Sequence, residues 1–274
     1  MKNTNATDVS HQVYSKLFVS WILCSHVENN HLKLSIESCL SQTYNYFELI
    51  FVANGPNASK VAQTVQSWYG TDARVRIFMT EIHQLSFSLS LGLHHARGTL
   101  IARMDSDDIS RSDRLERQVD FMSEHPEISV LGTCYEIIDD SGAVQRDIRM
   151  PQSDKSIRRG LLRGNPLCHP SVMFRRQVVL EAGGYLGGLH AEDYDLWARL
   201  SLNPKYQFAN LNIICLGYRV IGVGIARRSR WAYASIAASQ FRNFLIGGGV
   251  RWCVASFVSV GKLLLRSSPI RSLK

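Results

Sequence analysis

Short apolar runs alternate with helical spacings over residues 17–104, and this alternation constrains the fold more than any other feature. Residues 17–23 (LFVSWIL), 47–52 (FELIFV), 74–79 and 99–104 each read as a strand, because they are short, apolar and rich in β-forming side chains. Residues 31–42 place apolar groups at 32, 36, 39 and 40, a helical spacing. Residues 60–69 and 86–96 also read as helices, the latter expected to close on Gly98 as a left-handed cap. The resulting order, β-α-β-α-β-α-β, predicts an α/β fold with a mainly parallel, Rossmann-like central sheet flanked by helices. Ligands of such sheets bind beyond the carboxyl ends of the strands. Two of those ends are polar here: Ala53-Asn54-Gly55-Pro56, and Asp105-Ser106-Asp107-Asp108.

The second of these ends sets three carboxylates at the tip of a buried strand. Asp105 and Asp107, one residue apart, can both reach one divalent cation, and Mg²⁺ or Mn²⁺ commonly bridges such carboxylates to substrate phosphates. The bland alternative is a solvated acidic turn that caps the next helix. Asp113 followed by Glu116 has the spacing of a capping box for that helix, over 115–122. Downstream, residues 130–138 read as a strand, and Asp139-Asp140-Ser141-Gly142 as a hairpin turn. Glu192-Asp193-Tyr194-Asp195 opens a helix; its acids either suit the helix dipole or carry chemistry.

The stretch Ile101-Ala102-Arg103-Met104-Asp105-Ser106-Asp107-Asp108, with Arg114-Leu115-Glu116-Arg117-Gln118 after it, resembles the family-2 glycosyltransferases. Further segments match in order: Val19-Ser20-Trp21-Ile22-Leu23, Ser38-Cys39-Leu40-Ser41-Gln42-Thr43, Asn165-Pro166, His169-Pro170-Ser171-Val172-Met173-Phe174, Glu192-Asp193-Tyr194-Asp195-Leu196-Trp197 and Lys205-Tyr206-Gln207-Phe208. The resemblance spans residues 17–220 and implies the GT-A fold and a nucleotide-sugar donor. It implies that Asp105 and Asp107 hold Mn²⁺ or Mg²⁺ and the donor diphosphate, with Asp108 in support. It implies a general base at Asp193, with Glu192 as the alternative. An acceptor hydroxyl must lose its proton as it attacks the anomeric carbon, and one direct displacement inverts that carbon. No carboxylate nucleophile is then required, unlike in a retaining glycosidase. His169 borders the acceptor in this reading, or packs as a structural residue. Arg103, which strand alternation points opposite to Met104, either meets donor phosphate or forms a structural ion pair.

The departures fall in the nucleotide pocket. Residues 24–28 read CSHVE where many members have P-x-Y-N, Ala53-Asn54-Gly55-Pro56 stands for D-D-G-S, and Ser90 takes the place of an Asn. Asn54 has a donor and an acceptor and can still pair with a uracil edge, so a UDP-sugar is the expected donor. Two rivals follow. A sugar nucleotidyltransferase needs a Gly-rich, basic loop after the first strand, and residues 24–30 hold no Gly, Lys or Arg. A non-catalytic, membrane-bound scaffold of the same fold would tolerate the altered pocket.

The net charge of +8 is unevenly placed. The last acidic residue is Asp195; residues 196–274 hold twelve Lys and Arg, whereas residues 1–195 carry 19 basic and 23 acidic groups. The expected organisation is a flexible arm over 1–16, a GT-A domain over 17–220 and a basic amphipathic, helical appendage over 221–274. The longest uncharged run in the apolar part of that appendage is ten residues, between Arg251 and Lys262; a span needs about 20. Arg and Lys mixed with Trp, Phe and Leu suit a helix lying on an anionic membrane surface; the alternative is a helix packed on the body. No nucleic-acid module accompanies the charge, so nucleic acid is not an expected partner. The six cysteines form no C-x-x-C pair, and the polar N-terminus lacks a signal-peptide core. The expected setting is the cytoplasm, at the inner face of the cell membrane, with a glycan or lipid-linked acceptor.

Overall fold

The computed structural model describes residues 17–187, 190–220 and 230–267; the N-terminal arm expected over 1–16 and the basic residues Arg227 and Arg228 lie outside them. The first half is the expected alternation: β1 (Val19–Ser25), α1 (Asn30–Leu40), β2 (Phe47–Asn54), α2 (Ala58–Tyr69), β3 (Val75–Thr80), α3 (Leu85–His95) and β4 (Leu100–Met104). There follow β5 (Ile109–Ser110), α4 (Arg114–Glu124), β6 (Ile128–Ile138), β7 (Val144–Ile148), α5 (Asp154–Leu161), a 3₁₀ turn at His169–Ser171, β8 (Met173–Arg175), α6 (Arg176–Glu181), α7 (Glu192–Leu200) and β9 (Gln207–Arg219). Two helices complete the described chain, α8 (Arg230–Asn243) and α9 (Val250–Ser267), joined through a π turn at Phe244–Gly248.

All these strands join one nine-stranded sheet in the order β3-β2-β1-β4-β8-β6-β9-β5, with β7 on β6. The β3-β2-β1-β4 part is parallel. Strand β8 turns the pairing antiparallel against both β4 and β6, and β9 runs parallel to β6. Strands buried on both faces need mostly apolar side chains, which is why β1, β2 and β4 read as largely apolar runs; the buried exceptions include Ser20 and Glu48, joined by a 2.7 Å hydrogen bond, and Arg103. Side-chain alternation divides the core into two layers. Trp21, Leu23, Leu49, Phe51, Ala102 and Met104 pack with α1, α2 and α4. Ile22, Ile50, Val52 and Ile101 pack with α3, α5, α6, α7 and the tail helices, through Leu93, Ile157, Val179, Trp197, Ile236 and Trp252. Arg103 shares the parity of Ile101, opposite Met104 as the alternation predicts, and is buried.

Two local expectations are corrected. Gly98 is not a left-handed cap: Ala96 ends α3 in an extended conformation, and Gly98 is absent from the positive-φ positions. A Cβ on Gly98 would lie 2.6 Å from the Ser20 backbone nitrogen and 2.7 Å from the Phe18 carbonyl oxygen, so glycine is required for close approach to β1. Asp113 and Glu116 do not form a capping box. Asp113 accepts from Arg117 Nε at 2.6 Å and Glu116 from Thr43 Oγ1 at 2.9 Å. Gln42 serves the helix instead, its Oε1 accepting from Leu115 N at 3.0 Å. Among the described residues, Asn29 on α1 and Ser153 on α5 cap their helices through side chains.

The tail packs on the body through polar contacts. Asp195 of α7 accepts from Ser239 Oγ at 2.9 Å and Arg242 Nη1 at 2.6 Å, both on α8, and from Arg199 Nε at 2.9 Å. Ser256 and Ser259 of α9 donate inward to Ala237 O and Gln240 Oε1 on α8. The outer face of α9 is apolar, with Val254, Phe257, Val258, Leu264 and Leu265 exposed. No helix among the described residues is long and apolar enough to cross a membrane.

Arg114 joins the parts that carry the site. It is fully buried and donates to Gln118 Oε1 at 3.0 Å, Pro170 O at 2.8 Å, Arg103 O at 2.9 Å and Val172 O at 3.3 Å, with its guanidinium 4.7 Å from the Trp21 ring centroid. Burial pulls its pKa down to about 10, which still leaves it charged at neutral pH. Arg114→Ala would leave these buried acceptors without their donor and is expected to cost about 3–5 kcal/mol of unfolding free energy. Urea denaturation checks this; a loss below about 1 kcal/mol would show that other donors replace the guanidinium.

Candidate active site

The acidic turn is positioned from α1 before any ligand is considered. Ser35 Oγ donates to the Asp105 carbonyl at 2.7 Å, Ser38 Oγ accepts from Ser110 N at 3.0 Å, and Gln42 Nε2 donates to Arg111 O at 2.9 Å. The polar positions near the end of α1 thus form a clamp on residues 105–111. On the other side Arg219, at the end of β9, donates from Nε to Asp107 O and from Nη1 to the carbonyls of Asp139 and Asp140, each at 2.7 Å.

This clamp gathers Asp105, Asp107 and Asp108, with one carboxylate oxygen from each within 4.8 Å of the others. Asp105 Oδ1 pairs with Arg103 Nη1 at 2.5 Å. Asp108 is buried; its Oδ1 accepts from Arg219 N at 2.8 Å, and its Oδ2 has no hydrogen-bond partner. Burial, and then the charges of Asp105 and Asp107, push the Asp108 carboxyl well above the usual range. Burial and Asp105 likewise raise Asp107. Oxygen-only ligands, mutual repulsion and an unpartnered buried oxygen all fit a hard divalent cation.

The second acidic pair stands at the start of α7. Ala191, which precedes it, has φ 59°, the single non-glycine residue in the left-handed region among those described. That conformation costs energy for a residue with a Cβ and commonly marks functional backbone. Asp193 Oδ1 accepts from Tyr194 N at 2.7 Å, and its Oδ2 accepts from Asn165 Nδ2. Burial, and then the charge of Asp193, raise Glu192 to about 7. His169 Nδ1 lies 3.7 Å from Glu192 Oε1, and its Nε2 lies 3.1 Å from Tyr185 Oη. Burial and Arg103 push the His169 pKa well down, so the ring is neutral at physiological pH.

Arg103, Asp105, His169, Glu192 and Asp193 all line one cleft of about 430 Å³. Asn54, Asp107 and Asp108 are not on its walls. Asp107 and Asp108 join it through Asp105, whereas Asn54 is buried at the carboxyl end of β2, two strands from β4. Beside it Gly55 has φ 85°, and the His26 and His83 rings, 4.7 Å apart, bring the loops after β1 and β3 together there. A Cβ on Gly55 would lie 3.3 Å from the His83 ring, so the turn needs glycine for both reasons. Several cleft residues were not singled out from the sequence: Tyr135, Arg146 and Tyr218 from the second half of the sheet, and Ala232 and Ile236 from α8. Arg219 was missed because a lone arginine at a strand end has no local signature of its distant carbonyl partners. Asn165, noted only as part of a motif, orients Asp193.

The raised Glu192 carboxyl has a stability consequence. Between about 4.5 and 7 the folded protein binds a proton there that the unfolded chain releases, so stability falls as pH rises through that window. Glu192→Gln is expected to leave the thermal midpoint unchanged near pH 4 and to stabilise the fold at pH 8 by about 2–3 kcal/mol. Thermal unfolding at the two pH values checks the sign.

Residues 20–184 match the family model described as glycosyl transferase family 2. The O-antigen biosynthesis glycosyltransferase WbnJ of Escherichia coli is 37% identical over 229 residues, covering 83% of this chain and 89% of the relative. Among solved structures, S. aureus TarS 1–349 in complex with UDP-GlcNAc superposes with a TM-score of 0.63 at 13% identity, covering 90% of this chain and 80% of that one. The mannosyltransferase PcManGT of Pyrobaculum calidifontis, in complex with GDP-Man and Mn²⁺, gives 0.58 at 13% identity over 91% and 76% of the respective chains. These two likenesses concern the fold alone, which is GT-A. With the family model covering most of residues 17–220 and a relative similar over most of both chains, this chain belongs to glycosyl transferase family 2.

Proposed function

We propose that this protein transfers a sugar from a nucleotide-diphosphate donor, a UDP-sugar, to a hydroxyl of a glycan or lipid-linked acceptor during surface-polysaccharide assembly. The observation that carries the reading is that the acidic turn at Asp105 and the Glu192–Asp193 pair open on one cleft. One end of the reaction releases an anionic diphosphate and the other releases a proton; the cleft offers a partner for each. The relative named for O-antigen biosynthesis and the fold neighbour complexed with UDP-GlcNAc support the acceptor and donor classes.

In this mechanism Asp193 accepts the proton from the acceptor hydroxyl as the oxygen attacks the anomeric carbon, in a single inverting displacement. Its two hydrogen bonds, from Asn165 and Tyr194 N, hold the carboxylate in one orientation. Glu192, whose carboxyl burial and then the charge of Asp193 raise to about 7, is the alternative base. Neutral His169, in hydrogen-bond reach of Tyr185 and near Glu192, borders the acceptor. Asp105 and Asp107 would hold Mn²⁺ or Mg²⁺, which would supply charge neutralisation for the diphosphate. Arg103, whose Nε has no hydrogen-bond partner in the protein, offers a donor to the same phosphates. Asn54, at the end of β2, and the adjoining His26–His83 pair meet the base.

In this reading the tail holds the chemistry at a membrane surface. Helix α9 turns its serines inward and Val254, Phe257, Val258, Leu264 and Leu265 outward. A helix exposed to water alone would have the reverse polarity. Its outer face and the basic charge around it suit the anionic inner face of the cell membrane, where a lipid-linked acceptor is found.

Calorimetric titration of UDP, with and without Mn²⁺, tests the donor site. Binding is expected to require Mn²⁺ and to be lost in Asp107→Ala. Failure of the folded protein to bind UDP under both conditions would reject the UDP assignment. Asp193→Asn is expected to bind UDP as the parent does and to lower kcat by about 10²–10⁴-fold. Unchanged turnover in that variant would remove Asp193 from the base role; intact biological function without turnover would favour the scaffold.

A further inference from the structure

A second cavity, of about 660 Å³, lies between the body and the tail, apart from the catalytic cleft. Its walls come from α5, the turn after α7, the glycine loop before α9 and the first turn of α9. Lys155, Arg158, Arg159 and Arg251 line it, against a single lining acid, Asp154. That acid is already committed: its Oδ2 accepts from Arg158 Nε at 2.7 Å and its Oδ1 from Phe208 N at 3.1 Å. Arg158 is committed as well, donating to the carbonyls of Ser201 and Tyr206. The excess charge therefore rests on Lys155, Arg159 and Arg251, which are exposed on the cavity walls and which no lining carboxylate answers. Three cations converging from two elements on one concave space form an anion site.

The loop adds to that field. Gly247 and Gly248 form part of the wall, and Gly247 and Gly249 have φ 96° and 86°, so the chain enters α9 without side chains crowding its amino end. The dipole of this 18-residue helix is positive at that end. The rim distinguishes the ligand. Leu245, Ile246 and Val250 are each more than 60% exposed, and they flank the loop and Arg251 in sequence. Val254, one turn on, continues them into the apolar outer face of α9. A free phosphate needs the cations only, whereas a phosphate carrying acyl chains uses both features.

We propose that this cavity binds the phosphate headgroup of an anionic membrane phospholipid, with the apolar side chains around Arg251 entering the acyl region. The proposal rests on the membrane reading given above and names its ligand. It also gives that contact a direction, because α8, which packs against α9, supplies Ala232 and Ile236 to the catalytic cleft. A headgroup seated here holds the cleft at a set position relative to the bilayer rather than leaving the protein free to roll on it.

The test is co-sedimentation of the full chain with vesicles of phosphatidylcholine alone and of phosphatidylcholine mixed with phosphatidylglycerol. Lys155→Gln/Arg159→Gln/Arg251→Gln is compared with a charge-matched control, Lys33→Gln/Lys60→Gln/Arg117→Gln, on α1, α2 and α4 of the opposite layer. The pocket variant is expected to lose phosphatidylglycerol-dependent partitioning by on the order of a hundred-fold, and the control to stay within about two-fold of the parent. Equal losses in the two variants would show diffuse attraction and overturn the pocket while leaving membrane binding intact. Parent protein that sediments with neither vesicle would instead reject the membrane reading itself. Val254→Asp/Phe257→Asp reports on that reading separately, since it removes apolar contact and leaves the cavity cations in place. Calorimetric titration of inorganic phosphate at constant ionic strength closes the alternatives. Tight binding lost in the pocket variant, without any phosphatidylglycerol dependence, would assign the cavity to a soluble phosphate and overturn the lipid assignment.

Discussion

A charged guanidinium with no carboxylate beside it holds the centre of this molecule together. Arg114 is enclosed by the Trp21 ring, one amide oxygen and three backbone carbonyls. Each carbonyl belongs to a segment that carries the site: Arg103 precedes the acidic turn, while Pro170 and Val172 follow His169. A buried cation is tolerated only where its donors are fully used, so these segments cannot drift independently without leaving charge uncompensated. Gln118, one turn further along α4, extends the arrangement by donating to Ser171 O at 2.9 Å. The geometry of the candidate site is thus built from main-chain positions that a single side chain reads at once.

The sheet explains why that junction matters. From β3 to β4 the strands run parallel and end on loops suited to a nucleotide; β8 then reverses direction and hands the sheet to β6 and β9. The reversal lies between β4 and β6, where the acidic turn of one half faces α7 and the residues of the other. A reaction that moves a group from one substrate to another needs two binding regions with reacting atoms between them. The change of strand direction supplies that division within one continuous core.

Much of this was legible in the residues. Largely apolar runs marked the doubly buried strands because almost no position on them faces water. The acidic turn and the Glu192–Asp193 pair stood out because clustered carboxylates are costly without a partner or a task. Gly98 misled because closeness to β1, a tertiary constraint, left the same residue that a left-handed cap would. The Asp113–Glu116 spacing misled for a related reason: Gln42, far away in sequence, had already satisfied the helix. Arg219 and Arg114 act through carbonyls of remote segments, and carbonyls have no identity in a sequence. The contribution of α8 to the cleft was hidden in the same way, since Ala232 and Ile236 differ in nothing from ordinary core residues.

That contribution changes how the chain divides. By composition the molecule has an acidic part that ends at Asp195 and a basic remainder, and a boundary near residue 220 was expected to part domain from appendage. By function the boundary dissolves: one turn of α7 holds Asp193 at the cleft and Asp195 on the tail, and α8 returns two side chains to the cleft wall. A tail borrowed from another protein would have to reproduce a piece of the active site as well as a surface. A change in how α8 sits on α7 would therefore reach the cleft wall and the tail surface together.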